Sequence, residues 1–415
     1  MSLTPRTALI LGAIALGALI LPPGVVGLLT VALLGATVGD ALRAKRVPPM
    51  DQSTSDIMSR GVASPLRLSA EGPTPGSFRM RQPAPPDLAI DPAEDDGGLD
   101  ARVVPARRGR HTLPAPAFRT VGPLGLGCYY GRFAVDREVL VYPDMPTAWR
   151  LALSVRRSRY RDAGDRRRGP LGLGTEFESI RDYLPDDDIR QVNWRATARL
   201  GRPMSNQYRI EQDRDVICLI DSGRLMTAPL EGRTRLDAAV DATAAVALVA
   251  DEVGDRCGAL AFDGRVLRNI SPQRKGGNAV VRGIFDLEPT TQDSDYELAF
   301  RHVSGLKRSY VLVFTDLLEE AAARPLIEAV PVLARRHAVA VVSAADSDLQ
   351  ELVARRPETP VDVYRAAAAL EVLNARERVA ASLRATGAEV LEAPVDKLAA
   401  ACVDAYLRAK VRARL

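Results

Sequence analysis

Two carboxylates each close a run of apolar β-formers. VICLI at 216–220 ends in Asp221, followed by Ser222, Gly223, Arg224 and Leu225; YVLVF at 310–314 runs into Thr315 and Asp316. A strand that surfaces on an aspartate is a common way to present a metal ion or a reacting group. The question is whether Asp221 still holds a metal or belongs to a site that has lost its ligands. Other ligand types are sparse. Cys128, Cys218, Cys257 and Cys402 form no CxxC pair, and His111, His302 and His337 are scattered. Neither a zinc site nor a disulfide framework is implied.

The elements that must position these aspartates follow from hydrophobic patterning. After residue 215, buried-type strands alternate with helical stretches such as LDAAVDATAAVALVADEV at 236–253. Asp263-Gly264 between CGALAF and RVLRNI is a hairpin signal. Such alternation specifies a doubly wound, mostly parallel sheet over 215–415, with Asp221 and Asp316 together on the rim where these sheets bind ligands. Upstream, short extended runs separated by Pro and Gly over 66–148 predict a small antiparallel β-domain, its last strand an edge before Pro143. Residues 47–65 read as a linker. Residues 149–214 divide into a basic loop, RRSRYRDAGDRRRGP, and a densely charged segment.

Composition supports globular domains: 47% hydrophobic residues and 26% charged ones, with a net charge of only +4 over 415 residues, too weak a field to imply nucleic acid. Residues 1–46 are different. No charge occurs from 7 to 21, PPG follows at 22–24, and 25–39 is again uncharged. Each arm is short against the ~20 residues that cross a bilayer, so a helical hairpin broken at the prolines is expected. Arg6 on one side and Arg43, Lys45 and Arg46 on the other place both ends, and the soluble bulk, on the cytoplasmic side of the inner membrane.

Between the β-domain and the α/β region, residues 174–208 read GTEFESIRDYLPDDDIRQVNWRATARLGRPMSNQY. Opposite charges alternate around few apolar anchors, which suggests an internally paired network with bidentate arginines. The order Glu176, Phe177, Arg181, Tyr183, Pro185, Asp187, Asp188, Arg190, Trp194, Ala196, Ala198 and Arg199 resembles the signature of the domain of unknown function 58 family. It departs at Asp186, where glycine is usual, and at Asn193, where aspartate is common. The run RRGRHTLPAPAFRTVGPLGLG also resembles that family's β-domain, with its PxGL-type element. The resemblance implies a von Willebrand factor A-like C-terminal half, a partnership with MoxR-type AAA+ ATPases, and no established enzymatic activity.

Von Willebrand A-like domains often carry a D-x-S-x-S metal site, completed by a threonine and a second aspartate from later loops. Its hydroxyls and carboxylates suit Mg²⁺. Laid on this chain, the pattern gives Asp221, then Gly223 and Leu225 in the two serine places, with Ser294 at the threonine place and Asp316 last. Asp221, Ser222, Ser294 and Asp316 are all that remain for a cation, and little Mg²⁺ or Mn²⁺ binding is expected. Asp221 and Asp316 are expected instead to cap helices or to pair with arginines such as Arg224. The resulting expectation is a membrane-tethered adaptor, not an enzyme, that meets partners through Asp221, Arg224 and Asp316. Two alternatives stay open: a metal-dependent hydrolase at the rim, and nucleic-acid or anionic-lipid binding by the arginines at 156–168.

Overall fold

A computed structural model describes residues 2–47, 49–72, 76–132, 135–164, 176–184, 187–209, 214–317 and 320–411, with side chains outside 158–164, 176–178, 207–209 and 320–322. The chain forms two units, Met1–Tyr142 and Pro143–Leu415.

The first unit begins with two apolar helices, α1 (Pro5–Gly17) and α2 (Pro23–Ala44), joined by a turn through Pro22. Only α2 is long and apolar enough to cross a membrane. Among the described residues the unit also has three small sheets, of five, three and four strands, the first of them including Ser2–Leu3 ahead of α1. Their inward residues alternate along each strand, as in Ser64–Ala70, where Leu66 and Leu68 are buried and Arg67 is exposed. These residues pack with Met80, Val103, Val139 and Val141 into one core. Two expectations are corrected here. The stretch read as a linker carries strands at Met50–Thr54 and Ile57–Ser59, because Met50 and Met58 belong to that core. The strand Arg137–Tyr142 is not an edge: it lies between Ile57–Ser59 and Gly109–Leu113, and Pro143 comes only after its last ladder partner.

The ends of both helices are seated on the loop 122–127. Asp40 of α2 accepts backbone N–H bonds from Leu124 (3.0 Å), Leu126 (2.9 Å) and Gly127 (3.0 Å). Thr4 donates to the Gly125 carbonyl at 2.6 Å, and Thr7 donates to that of Leu126. Gly127 must be glycine, since a Cβ there would lie 2.6 Å from the Thr37 carbonyl.

The second unit is a mixed α/β structure around a six-stranded sheet. Its strands are β1 (Asp215–Asp221), β2 (Arg256–Phe262), β3 (Val266–Arg274), β4 (Ser309–Phe314), β5 (Ala338–Ala344) and β6 (Glu389–Ala393). The order is β3-β2-β1-β4-β5-β6; all neighbours run parallel except the β2–β3 hairpin, which turns at Asp263-Gly264. Along β1, Val216, Cys218 and Ile220 face one core while Ile217 and Leu219 face another, so both sides of the sheet are covered. Helix α3 (Met145–Gly164) is the next correction, since this basic stretch was expected to be a loop. Ala148 and Ala152, four apart, lie on its buried side in the first of these cores, with Val155 packed against it. The remaining arginines of that cluster, at 159–168, lie outside the described side chains.

Candidate functional site

Asp221 ends β1, the strand from which the chain departs to β2 on one side and meets β4 on the other. It is almost fully buried, and both carboxylate oxygens are already engaged. Oδ1 accepts the Gly223 N–H at 2.8 Å and the Ser294 hydroxyl; Oδ2 accepts the hydroxyls of Tyr296 (2.8 Å) and Thr315 (2.7 Å). Tyr296 and Thr315 also lie 2.8 Å from each other. Burial pushes the Tyr296 phenol well above its ordinary pKa, and the Asp221 charge pushes it further, so it stays a donor.

The elements explain the convergence. Ser294 and Tyr296 flank Asp295, which caps α7 (Tyr296–Ser304) by accepting from the Leu298 N–H, and the Asp295 N–H donates to the Asp263 carbonyl at 2.9 Å. Gly223 leaves the space that Ser294 fills: a Cβ at 223 would collide with the Ser294 hydroxyl and lie 2.8 Å from the Gln292 carbonyl. The residue standing in the first serine's place therefore has no room for a serine while Ser294 holds Asp221.

These donors do not fit a divalent cation. The hydroxyls present protons to Asp221, Gly223 brings no ligand, and Leu225 is apolar. Ser222, next in line, is fully buried with no partner for its Oγ among the described residues, and it makes no bond to Asp221. Metal entry would mean breaking hydrogen bonds to a buried carboxylate, each worth roughly 1.5–3 kcal/mol.

Asp316 lies just past β4 but is not a surface group. It is 3% exposed and takes an ion pair from Arg376 and a second from Arg235 at 3.1 Å, both of them buried. Asp316 was expected to meet partners; the structure encloses it instead. Arg235 opens α5 (Arg235–Val253) and also reaches Asp346 (3.2 Å) and the Ala344 carbonyl (3.0 Å). Arg376 lies on α10 (Pro360–Ala385) and reaches Glu392 at 3.4 Å. Burial lowers the pKa of the Arg235 guanidinium, an effect Asp316 opposes. Arg224 does not pair with either rim aspartate; it is exposed and bonds Asp293.

Sequence reasoning missed Tyr296, Thr315, Arg235 and Arg376. A signal existed for Arg376, which shares the stripe of Val379, Ala380 and Leu383 at helical spacing and so had to be buried.

The signature segment folds as a two-stranded hairpin, Glu176–Asp182 with Met204–Arg209, carrying a 3₁₀ turn (Ile189–Gln191) and α4 (Trp194–Leu200) between the strands. Part of the expected network is present. Arg181 makes a bidentate pair with Asp187 at 2.7 and 2.6 Å, and this contact holds the Asp187 carboxyl below its usual pKa. The Tyr183 hydroxyl donates to the Asp187 carbonyl (3.0 Å), Asp188 caps the 3₁₀ turn and Asn193 caps α4. Arg190 and Arg199 are exposed. Trp194, expected as an architectural anchor, is 68% exposed, beside exposed Leu184, Ile189 and Leu200 on the same excursion. The side chains of Glu176 and Phe177, and Pro185 entirely, lie outside the described residues.

Comparison with known proteins agrees with the resemblance in the signature. The chain is 27% identical over 257 residues to uncharacterized proteins of Mycobacterium tuberculosis and Mycobacterium bovis, covering 54% of this chain and 76% of each relative. Among solved structures, the sulfur carrier protein SoxY from Chlorobium limicola aligns with 26% of this chain and 97% of its own, at 16% identity and a TM-score of 0.15, too low to bear on the fold. Residues 179–379, which hold most of the signature and the whole Asp221–Asp316 site, match the family described as Protein of unknown function DUF58.

Proposed function

We propose that this chain is a membrane-tethered protein-interaction module, a partner of a MoxR-type AAA+ ATPase in envelope or complex-maturation processes, and not an enzyme. The observation that carries it is the exposed apolar surface of the signature segment, where Ile189 and Trp194 are 69% and 68% exposed. Tryptophan is enriched among residues that dominate interfaces. The sheet order with one antiparallel edge, and an aspartate ending its central strand, supports a von Willebrand A-like reading of the second unit. Gly223 and Leu225 stand in the two serine places, which speaks against the hydrolase alternative. The flanking Arg6, Arg43, Lys45 and Arg46 support a cytoplasmic placement.

Co-purification from detergent extract tests it. A Trp194→Ser, Ile189→Ser variant of the full chain should recover at least tenfold less of a co-expressed MoxR-type ATPase than the parent, with the urea midpoint of the second unit unchanged. Equal recovery would overturn the proposal.

A further inference from the structure

The apolar hairpin is short for a membrane crossing, and its seat fixes where it begins. Thr7 and Thr37 are buried on the β-unit, so the free arms run from Ala8 to the turn and from the turn to Ala36. At ~1.5 Å per residue the free arms before and after the turn rise about 16 and about 20 Å, against a hydrocarbon core of about 30 Å, and any tilt shortens the reach.

The turn itself is built for lipid. Gly17 to Gly24 reads GALILPPG, with no charged or polar side chain, and Leu19 and Ile20 are 84% and 90% exposed. A turn that emerges into water has no reason to present its largest apolar groups there. The backbone matches. The N–H groups of Ala18, Leu19, Ile20 and Leu21 donate back to carbonyls between Ile14 and Gly17, and those of Val25 and Val26 donate to Pro22. Pro22 and Pro23 carry no N–H, which leaves Gly24 as the exception among the described residues of the turn. Closing these donors lowers the cost of placing the turn in hydrocarbon, where every unpaired backbone group is penalised. At the other end, Arg6, Arg43, Lys45 and Arg46 collar the base at the level where anionic headgroups lie.

We propose that the hairpin enters the bilayer from the face on which the β-unit sits and returns without crossing, its Leu19–Pro23 turn ending inside the hydrocarbon. This rests on the membrane-tethered reading above and adds its depth. The β-unit acts as the stop, through Asp40 and the loop 122–127, so insertion depth is set by protein contacts and not by charged residues on the far side.

Cysteine accessibility tests it in the full chain, whose own four cysteines are all buried. Ile20→Cys, with Leu19→Cys as a second position, and Lys45→Cys at the base are treated with a membrane-impermeant maleimide in right-side-out and inside-out vesicles, then in detergent. The base position should label from one side only. The tip positions should stay protected in both vesicle types and label more than tenfold better in detergent. Labelling of the tip from the side opposite the base would mean a full crossing and would overturn the proposal, as would labelling from the same side. Recovery of the Lys45→Cys chain in the soluble fraction would refute the membrane tether itself, an outcome distinct from either.

Discussion

Replacing Asp221 by alanine separates a structural carboxylate from a metal ligand. Four protein donors converge on it, and two of them, Tyr296 and Thr315, keep each other at 2.8 Å once it is gone. Ser294 is only half-buried, so water can replace its bond. The Gly223 N–H and one of the two remaining hydroxyl protons are then left unsatisfied, at roughly 1–3 kcal/mol each, and the lost charge-assisted bonds add to this. The expected loss is about 3–5 kcal/mol, well above the ~1 kcal/mol of an ordinary substitution. A local probe reads it: the urea dependence of Cys218 labelling, since Cys218 is buried in β1, three residues before Asp221. The same assay tests for metal. A site of micromolar affinity would add about 4 kcal/mol at 1 mM Mg²⁺, and no such rise is expected in the parent. Nor is it expected in Gly223→Ser, where the restored hydroxyl carries a Cβ that collides with Ser294 and should itself be destabilising by about 1–3 kcal/mol. An Asp221→Ala chain within ~0.5 kcal/mol of the parent, or Mg²⁺-dependent protection in any of the three, would refute this account of the rim.

Two further outcomes follow from buried charge. Asp316→Ala leaves Arg235 and Arg376 buried with the partial partners Asp346, the Ala344 carbonyl and Glu392, and should cost about 3–5 kcal/mol in the same urea titration; a loss below ~1 kcal/mol would mean the pair is not enclosed. His337 is 4% exposed with no partner for either ring nitrogen among the described residues, and burial, reinforced by Arg336 and Arg308, lowers its pKa below the ordinary histidine value of about 6.5. Below that pH the unfolded chain takes up a proton that the folded chain refuses, so stability falls with falling pH by at most ~1.4 kcal/mol per unit until the lowered folded pKa is reached. His337→Phe should flatten this dependence between pH 6.5 and 5; an unchanged slope would remove His337 as its source.

The α/β sheet was legible because its strands are short apolar runs separated by helices, a pattern set by burial on both faces. The β-unit was legible in class but not in extent. Met50–Thr54 alternates as a half-buried strand, yet two of its three inward residues, Gln52 and Thr54, are polar, so it looks like linker until its partner Ser64–Ala70 is known. Helix α3 hid for a different reason: its fully buried positions Ala148 and Ala152 are small, Met145, Leu151 and Val155 are only partly covered, and arginines mask the period. The rim aspartates could be found from one strand each. Their occupants could not, because Tyr296, Arg235 and Arg376 come from three separate helices, and only the fold brings them together.

That assembly explains how a sheet rim becomes a scaffold. A metal site of this type needs hydroxyl oxygens turned toward a cation; here Ser294, Tyr296 and Thr315 turn their protons toward Asp221, which ties α7 and the end of β4 to β1. Asp316 likewise draws α5 and α10 onto the end of β4 through Arg235 and Arg376. Both carboxylates therefore spend their charge inside the protein. On the function proposed above a partner meets Ile189 and Trp194 and not Asp221, so a partner-binding defect and a folding defect should separate cleanly between substitutions at the two places.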